Sequence, residues 1–85
     1  MHIELRFFAS VREALGLAQE RIELPDTVRT VGQVREHLIA RGGVWSQALS
    51  HERALRTAFN HVMCAPETPV QEGGEVAFFP PVTGG

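Results

Sequence analysis

The last ten residues have the sequence Val76-Ala77-Phe78-Phe79-Pro80-Pro81-Val82-Thr83-Gly84-Gly85. The first four are apolar and mostly of types that favour β-strands, and an apolar run without alternation is typical of a central strand covered on both faces. The two prolines end the hydrogen-bonded ladder because proline has no N–H and a fixed φ. The stretch therefore predicts a final, central strand that continues as a narrow tail.

The predicted tail consists of residues 80–85, beyond a domain formed by residues 1–79. Six extended residues reach roughly 20 Å, at about 3.3–3.6 Å per residue. The two terminal glycines carry no Cβ, so they could enter a deep, narrow site on another protein. Disordered chain ends are also rich in glycine, so the glycine pair has this simpler explanation as well. We expect a flexible tail that inserts into a partner.

Composition indicates one small domain of 85 residues, with 44% hydrophobic and 21% charged residues. The net charge of −2 disfavours a nucleic-acid partner. Cys64 is the only cysteine, so no internal disulfide can form, which fits a reducing cytoplasm. No apolar stretch approaches the roughly 18 residues of a membrane span, and no basic segment followed by an apolar run indicates a signal peptide. We therefore expect a cytoplasmic protein without a membrane partner.

Two strands are predicted near the N-terminus. Residues 2–8 alternate, with Ile3, Leu5 and Phe7 on one face, as expected for a strand with one buried face. Residues 20–24 form the second strand, which we expect to pair antiparallel with the first.

Two short helical segments are predicted, in addition to a longer main helix. Residues 9–15 form a short helix that Ser10 could cap and Gly16 ends. Residues 44–50 are ambiguous, although the spacing of Trp45 and Leu49 indicates one helical turn.

The main helix begins at a capping box. Thr30 and Gln33 have the spacing at which each side chain satisfies a backbone N–H of the other residue. The helix then presents an apolar stripe formed by Val31, Val34, Leu38 and Ile39. Arg41 is predicted in its last turn, and residues 42–43, both glycine, end it.

Three strands are predicted in the second half of the chain, over residues 56–59, 62–64 and 75–79. Residues 60–61 (Asn-His) form a tight turn between the first two, because asparagine tolerates the left-handed conformation. Residues 72–74 form the turn before the last strand.

This order of elements predicts an α+β fold of the β-grasp, ubiquitin-like type. The last strand lies beside the first in a mixed sheet, and the main helix crosses one face. The residues expected beneath the helix are Ile3, Leu5, Phe7, Val76 and Phe78.

The opposite face of the sheet is predicted to expose Phe8, Met63 and Phe79. Three large apolar side chains on an uncovered face make a candidate partner-binding surface. Two alternatives remain open: scattered exposed residues, or a face covered by residues 44–50.

The side chains form no recognisable catalytic or metal-binding pattern. The histidines, His2, His37, His51 and His61, lack metal-ligand spacing with one another and with Cys64. We interpret Cys64 as a small buried hydrophobe, and no phosphate-binding glycine motif is present. The candidate reactive group is therefore the C-terminal carboxylate of Gly85, which adenylation by ATP would activate toward a sulfur nucleophile. No metal or permanently bound cofactor is expected.

The segment 76–85 resembles the C-terminal signature of the molybdopterin synthase small subunits, the ubiquitin-like sulfur carriers of molybdenum cofactor synthesis. Residues 5–16 (LRFFASVREALG) and 58–60 (AFN) are similar to the same family. The resemblance spans nearly the whole chain and is loose over residues 40–55. It departs at residues 73–75, which are Gly-Gly-Glu where the family usually has Gly-Asp-Glu.

The resemblance implies a mechanism and partners. An adenylyltransferase related to ubiquitin-activating enzymes would use ATP and Mg²⁺ to convert the Gly85 carboxylate to an acyl-adenylate. A persulfide donor would then supply the sulfur of a thiocarboxylate. The tail, which consists of Pro80, Pro81, Val82, Thr83 and Gly84 before Gly85, would insert into the large synthase subunit.

There the sulfur would pass to cyclic pyranopterin monophosphate, and two transfers would build the dithiolene. The resemblance implies a heterotetramer in which the large subunit carries the catalytic residues. Phe8, Met63 and Phe79 would dock on both partners in turn.

Two other functions remain open. The first is a sulfur carrier for thiamine or cysteine synthesis or for tRNA thiolation, although the Phe-Phe-Pro-Pro-Val run favours the pterin pathway. The second is a protein modifier joined to lysines, or an interaction domain. All eight basic residues of the chain are arginines, so it offers no side-chain amine to its own C-terminus.

Overall fold

The computed structural model describes residues 1–81. Within them the chain forms β1 (His2–Phe7), α1 (Ala9–Leu15), β2 (Gln19–Glu23), α2 (Val31–Ile39), α3 (Val44–Ala48), β3 (Arg56–Phe59), β4 (Val62–Cys64) and β5 (Glu75–Phe79). The strands make one mixed sheet in the order β2-β1-β5-β3-β4. In this part of the chain no helix combines the length and the apolar character needed to cross a membrane.

The last strand is central, as its unbroken apolar sequence predicts. β5 pairs parallel with β1, where Leu5 lies beside Val76 and Phe7 beside Phe78. Its other edge pairs antiparallel with β3, and β1 pairs antiparallel with β2. The predicted α+β β-grasp arrangement is confirmed.

The core lies between the sheet and α2. The alternation in β1 buries Ile3, Leu5 and Phe7 to within 1% of full burial, which confirms the period-2 prediction. The side chains that meet them from β5 and α2 are Val76, Phe78, Val31, Val34 and Leu38, each with no exposed surface. Fully burying a side chain of this size contributes about 1.5–3 kcal/mol, so this layer dominates the stability of the domain.

The start of α2 confirms the predicted capping box. The Gln33 N–H donates to Thr30 Oγ1 at 3.2 Å, and the Thr30 N–H donates to Gln33 Oε1 at 3.1 Å. The next two N–H groups, of Val31 and Gly32, donate to backbone carbonyls of the 66–68 loop at 2.9 and 2.8 Å. The helix start is thus closed by protein groups, and the loop is tied to it.

The hairpin between β3 and β4 turns at Asn60 and His61, whose φ angles are 49° and 69°. Two consecutive left-handed residues match the twist of a tight hairpin. The Asn60 side-chain oxygen also accepts the Glu75 N–H at 2.9 Å, so the turn fixes the beginning of β5.

The prediction that Ser10 caps α1 is wrong. The helix begins at Ala9, after Phe8 in an extended conformation that makes no side-chain cap bond. Ala9 has a φ of 51°, so the chain turns one residue early and Ser10 already lies inside the first turn. Gly16 does end the helix in the left-handed conformation, with a φ of 71°.

Arg41 lies beyond α2 and not in its last turn, because the helix ends at Ile39. Its guanidinium instead binds both carboxylate oxygens of Glu20 at 3.0 and 2.9 Å. The same group lies 4.4 Å from the centre of the Trp45 ring. The predicted helical turn around Trp45 is confirmed as α3.

The predicted bounds of β1 and β2 shift by one residue. β1 ends at Phe7 and not at Phe8, and β2 covers Gln19–Glu23 instead of residues 20–24.

Candidate functional site

The candidate site is the face of the sheet turned away from α2, which we call the open face. Residues that alternate with the core positions lie on it. Register brings Arg6 beside Ala77, and Ala77 beside Ala58. Met63 extends this row on β4, opposite Ala58. The two alanines are buried, at 6–7% exposed, so the larger side chains around them cover most of their surface.

An aromatic pair lies at one end of this row of residues. The rings of Phe8 and Phe79 meet edge to face, with centres 6.4 Å apart and planes at 84°. Phe8 is 41% exposed and Met63 is 58% exposed. The backbone N–H of Phe8 donates to the Phe78 carbonyl at 3.2 Å, which holds the pair at the joint ends of β1 and β5.

The structure places Phe8, Met63 and Phe79 on the open face, and α3 does not cover them. Trp45 of α3 packs edge-on against Phe7 at 5.7 Å, and Phe7 belongs to the core side of the sheet. Residues 44–50 therefore lie on the opposite side from the aromatic pair. That the three residues bind a partner stays a prediction.

The tail leaves the sheet beside the aromatic pair. β1 and β5 are parallel, so Phe8, which follows β1, and Phe79, the last residue of β5, lie at the same end of the two strands. Pro80 and Pro81 are half-buried. Pro80 lines a shallow cavity of about 240 Å³ together with Val11, Ala48 and Leu55, so the chain beyond β5 begins next to α1 and α3.

The remaining predicted tail residues, Val82, Thr83, Gly84 and Gly85, lie outside the described residues. That these residues form an inserting tail with a reactive terminus stays a prediction.

A second concavity of about 880 Å³ lies between α2 and the β3–β4 hairpin. Cys64 lines it, is half-buried and packs against the core. Its thiol lies 3.8 Å from Thr57 Oγ1, and the Thr57 hydroxyl donates to the Cys64 carbonyl at 3.0 Å. Cys64 is therefore less buried than predicted, although it packs against the core as a small apolar side chain would.

Arg35 also lines this concavity, and its role is to hold a loop. Its guanidinium donates to the carbonyls of Leu49 and Ser50 at 2.8 and 2.6 Å. Burial lowers the pKa of Arg35 below its ordinary value, and the neighbouring Glu36 carboxylate offsets part of that effect. The bonds fix the connection between α3 and β3.

Three of the histidines in residues 1–81, namely His2, His51 and His61, lie beside glutamate carboxylates. His51 pairs with Glu36, and His61 lies 3.6 Å from Glu75. In the same residues, no group of three or more His, Cys, Asp or Glu side chains could hold a metal ion.

Two residues of the open face escaped the sequence reasoning, namely Arg6 and Arg56. Arg6 lies between two buried positions of β1, and Arg56 is opposite Phe79 across β3 and β5. Alternation places Arg6 on the outer face, but only the register shows that both arginines flank the aromatic pair.

Comparisons with known proteins identify relatives over the whole chain. A family model described as the ThiS family matches residues 5–85. The chain is 42% identical over 83 residues to the molybdopterin synthase sulfur carrier subunit of Haemophilus influenzae. This similarity covers 98% of the chain and 99% of that relative.

Solved structures share the fold. The crystal structure of SAMP1, a small archaeal modifier protein of Haloferax volcanii, matches with a TM-score of 0.76 and 26% identity, covering 100% of both chains. A protein–protein complex of subunits 1 and 2 of the molybdopterin-converting factor of Helicobacter pylori contains a chain that matches with a TM-score of 0.68. That match has 22% identity over 100% of both chains, and it shows the fold alone.

Proposed function

The chain belongs to the ThiS family, and from this membership we propose that it is the sulfur carrier subunit of a molybdopterin synthase. The observation that carries the proposal is its 42% identity, over 98% of the chain, to the Haemophilus influenzae subunit of that name. This relative favours the pterin pathway over the other pathways that use such carriers.

The reactive group is the Gly85 carboxylate. A carboxylate is a poor acyl donor, so a partner adenylyltransferase uses ATP and Mg²⁺ to join it to AMP, with release of pyrophosphate. The terminal sulfur of a persulfide donor then attacks the carbonyl carbon and AMP leaves. Cleavage of the remaining S–S bond by a thiol leaves a thiocarboxylate at Gly85.

The large synthase subunit then receives the tail and catalyses sulfur transfer to cyclic pyranopterin monophosphate. Two such transfers complete the dithiolene. The name of the Haemophilus influenzae relative, the sulfur carrier subunit of a synthase, supports a large-subunit partner, and a chain of the same fold occurs in the Helicobacter pylori complex of subunits 1 and 2.

The geometry of the open face supports a carrier that docks through its aromatic pair and presents its C-terminus to the large subunit. The aromatic pair lies at the joint ends of β1 and β5, and Pro80 continues the chain directly from Phe79. A partner that binds Phe8 and Phe79 therefore stands where the tail departs, and the six residues from Pro80 reach roughly 20 Å into it.

Intact mass measurement tests the chemistry directly. Protein produced with its adenylyltransferase and sulfur donor should gain about 16 Da at the C-terminus, because one sulfur replaces one oxygen. Protein produced without them should not. Deleting Gly85 should abolish sulfur transfer to the pterin precursor, while the thermal unfolding of the domain stays unchanged. Sulfur transfer by the deletion variant would rule out the terminal carboxyl as the carrier.

A second candidate is a protein modifier, favoured by the TM-score of 0.76 to the small archaeal modifier SAMP1. A modifier forms isopeptide bonds to lysines of other proteins. Cell extracts containing a tagged chain should then show adducts shifted by its mass of 9.4 kDa. Absence of adducts together with the thiocarboxylate mass would exclude this candidate.

A further inference from the structure

Two guanidinium groups of the open face have no acidic partner within residues 1–81. None of the ion pairs there uses Arg6 or Arg56. By contrast, Arg21 of the same face lies 3.8 Å from Glu4. Within residues 1–81, Arg21 and Arg41 are the arginines that form ion pairs, so the charges of Arg6 and Arg56 remain available to an acceptor on another molecule.

The two arginines stand on either side of β5, at the end that leads into the tail. The Arg6 guanidinium carbon is 5.9 Å from the centre of the Phe8 ring. Arg56 lies directly opposite Phe79 in the β3–β5 register. A surface that covers the aromatic pair therefore reaches the Arg6 guanidinium and the strand position of Arg56 as well.

Covering them without acceptors would be unfavourable. A buried charge loses its hydration, and the loss is offset only when a partner supplies charge and hydrogen bonds. Guanidinium is best matched by carboxylate or phosphate, because its planar N–H groups donate in pairs.

The other end of the open face decides between these acceptors. Glu4 lies beside Glu75 in the β1–β5 register, so that end carries carboxylates of its own. A uniformly anionic partner such as a nucleic acid or an acidic membrane would be repelled there, and the net charge of −2 also opposes it.

We propose that the partner protein docking on the open face presents carboxylates to Arg6 and Arg56, next to an apolar contact with Phe8 and Phe79. The identity of that partner, the large synthase subunit, rests on the proposed function. The charge pattern of its docking surface follows from the open face itself.

Charge reversal tests the proposal, with the large subunit encoded in the same genome as the probe. The variants Arg6→Glu and Arg56→Glu are compared with Arg21→Glu, a matched control on the same face. Each variant changes the net charge from −2 to −4, since one positive charge becomes negative. Long-range electrostatics are thus equal, and only position differs.

We expect Arg6→Glu and Arg56→Glu to weaken binding by about tenfold or more at low salt, because each places a carboxylate against a carboxylate. Arg21→Glu should stay within about twofold, since an exposed pair contributes little. The wild-type affinity should fall as salt increases, and an Arg6→Gln, Arg56→Gln double variant should show a weaker salt dependence. Unchanged melting temperatures establish that the variants fold. If a charge-reversed variant does not fold, the Arg6→Gln, Arg56→Gln double variant replaces it in the binding measurement.

Equal affinities for all three reversed variants, with unchanged salt dependence in the glutamine pair, would overturn the proposal. Binding of a duplex oligonucleotide that is lost in the glutamine pair would also overturn it, in favour of a phosphate partner. If the wild-type chain does not bind the large subunit, the proposed function fails and this proposal fails with it. If binding depends on Phe79 but not on the arginines, only this proposal fails.

Discussion

Phe78 and Phe79 are neighbours with opposite tasks, and truncating each one should separate stability from binding. Phe78 has no exposed surface and stacks on Phe7, with ring centres 6.1 Å apart. Truncating a buried phenylalanine to alanine costs about 3–5 kcal/mol. A domain of this size has a free energy of unfolding of about 4–13 kcal/mol, at roughly 0.05–0.15 kcal/mol per residue. Phe78→Ala should therefore remove a large fraction of it.

Phe79→Ala should be milder for the fold. Its ring is half-exposed and meets Phe8 edge to face, and such a pair contributes about 0.5–1.5 kcal/mol. A central aromatic residue of an interface, however, costs about 2 kcal/mol or more when truncated. The dissociation constant for the large subunit should then increase roughly 30-fold.

Urea unfolding measures the first effect and titration calorimetry the second. Phe78→Leu, which keeps most of the buried volume, is the matched control for binding and should retain the wild-type affinity. Equal destabilisation by Phe78→Ala and Phe79→Ala would refute the assignment of the two side chains to opposite faces. An unchanged affinity for Phe79→Ala would remove that residue from the interface.

Three further variants test single contacts. Phe79→Glu places a charge in the proposed interface and should weaken binding by several kcal/mol, whereas an affinity equal to wild type would exclude the open face as the docking surface. Thr30→Ala removes the hydroxyl that accepts the Gln33 N–H and should lower the free energy of unfolding by about 1 kcal/mol in urea titrations; no loss would mean that the cap is dispensable. Gly74→Ala would bring a Cβ within 2.4 Å of the Phe59 ring and should cost about 1–3 kcal/mol, and an unchanged melting temperature would show that the ring moves freely aside.

The Gly74→Ala variant also bears on the departure from the family pattern at position 74. The family resemblance leads one to expect aspartate at position 74, and the sequence alone treats its replacement by glycine as a neutral change in a turn. The structure shows that Phe59 occupies the space a side chain would need. The glycine and the large residue on β3 therefore belong together.

Much of the fold was predictable because its signals are local. The alternation of Ile3, Leu5 and Phe7 and the capping box at Thr30 depend on residues a few positions apart. The apolar run that precedes Pro80 likewise identified the central strand. Signals at element ends were less reliable, since Ser10 and Arg41 each fitted a helix end that the chain does not use.

The sequence by itself determined which segments are strands and helices, which strand is central and where that last strand ends. It did so because periodicity and proline chemistry act over a few residues. Only the tertiary structure decided that Arg6 and Arg56 flank the aromatic pair, and that Arg41 meets Glu20. These neighbours come from distant parts of the chain. The register between paired strands sets which side chains share a surface, and no local sequence pattern specifies that register.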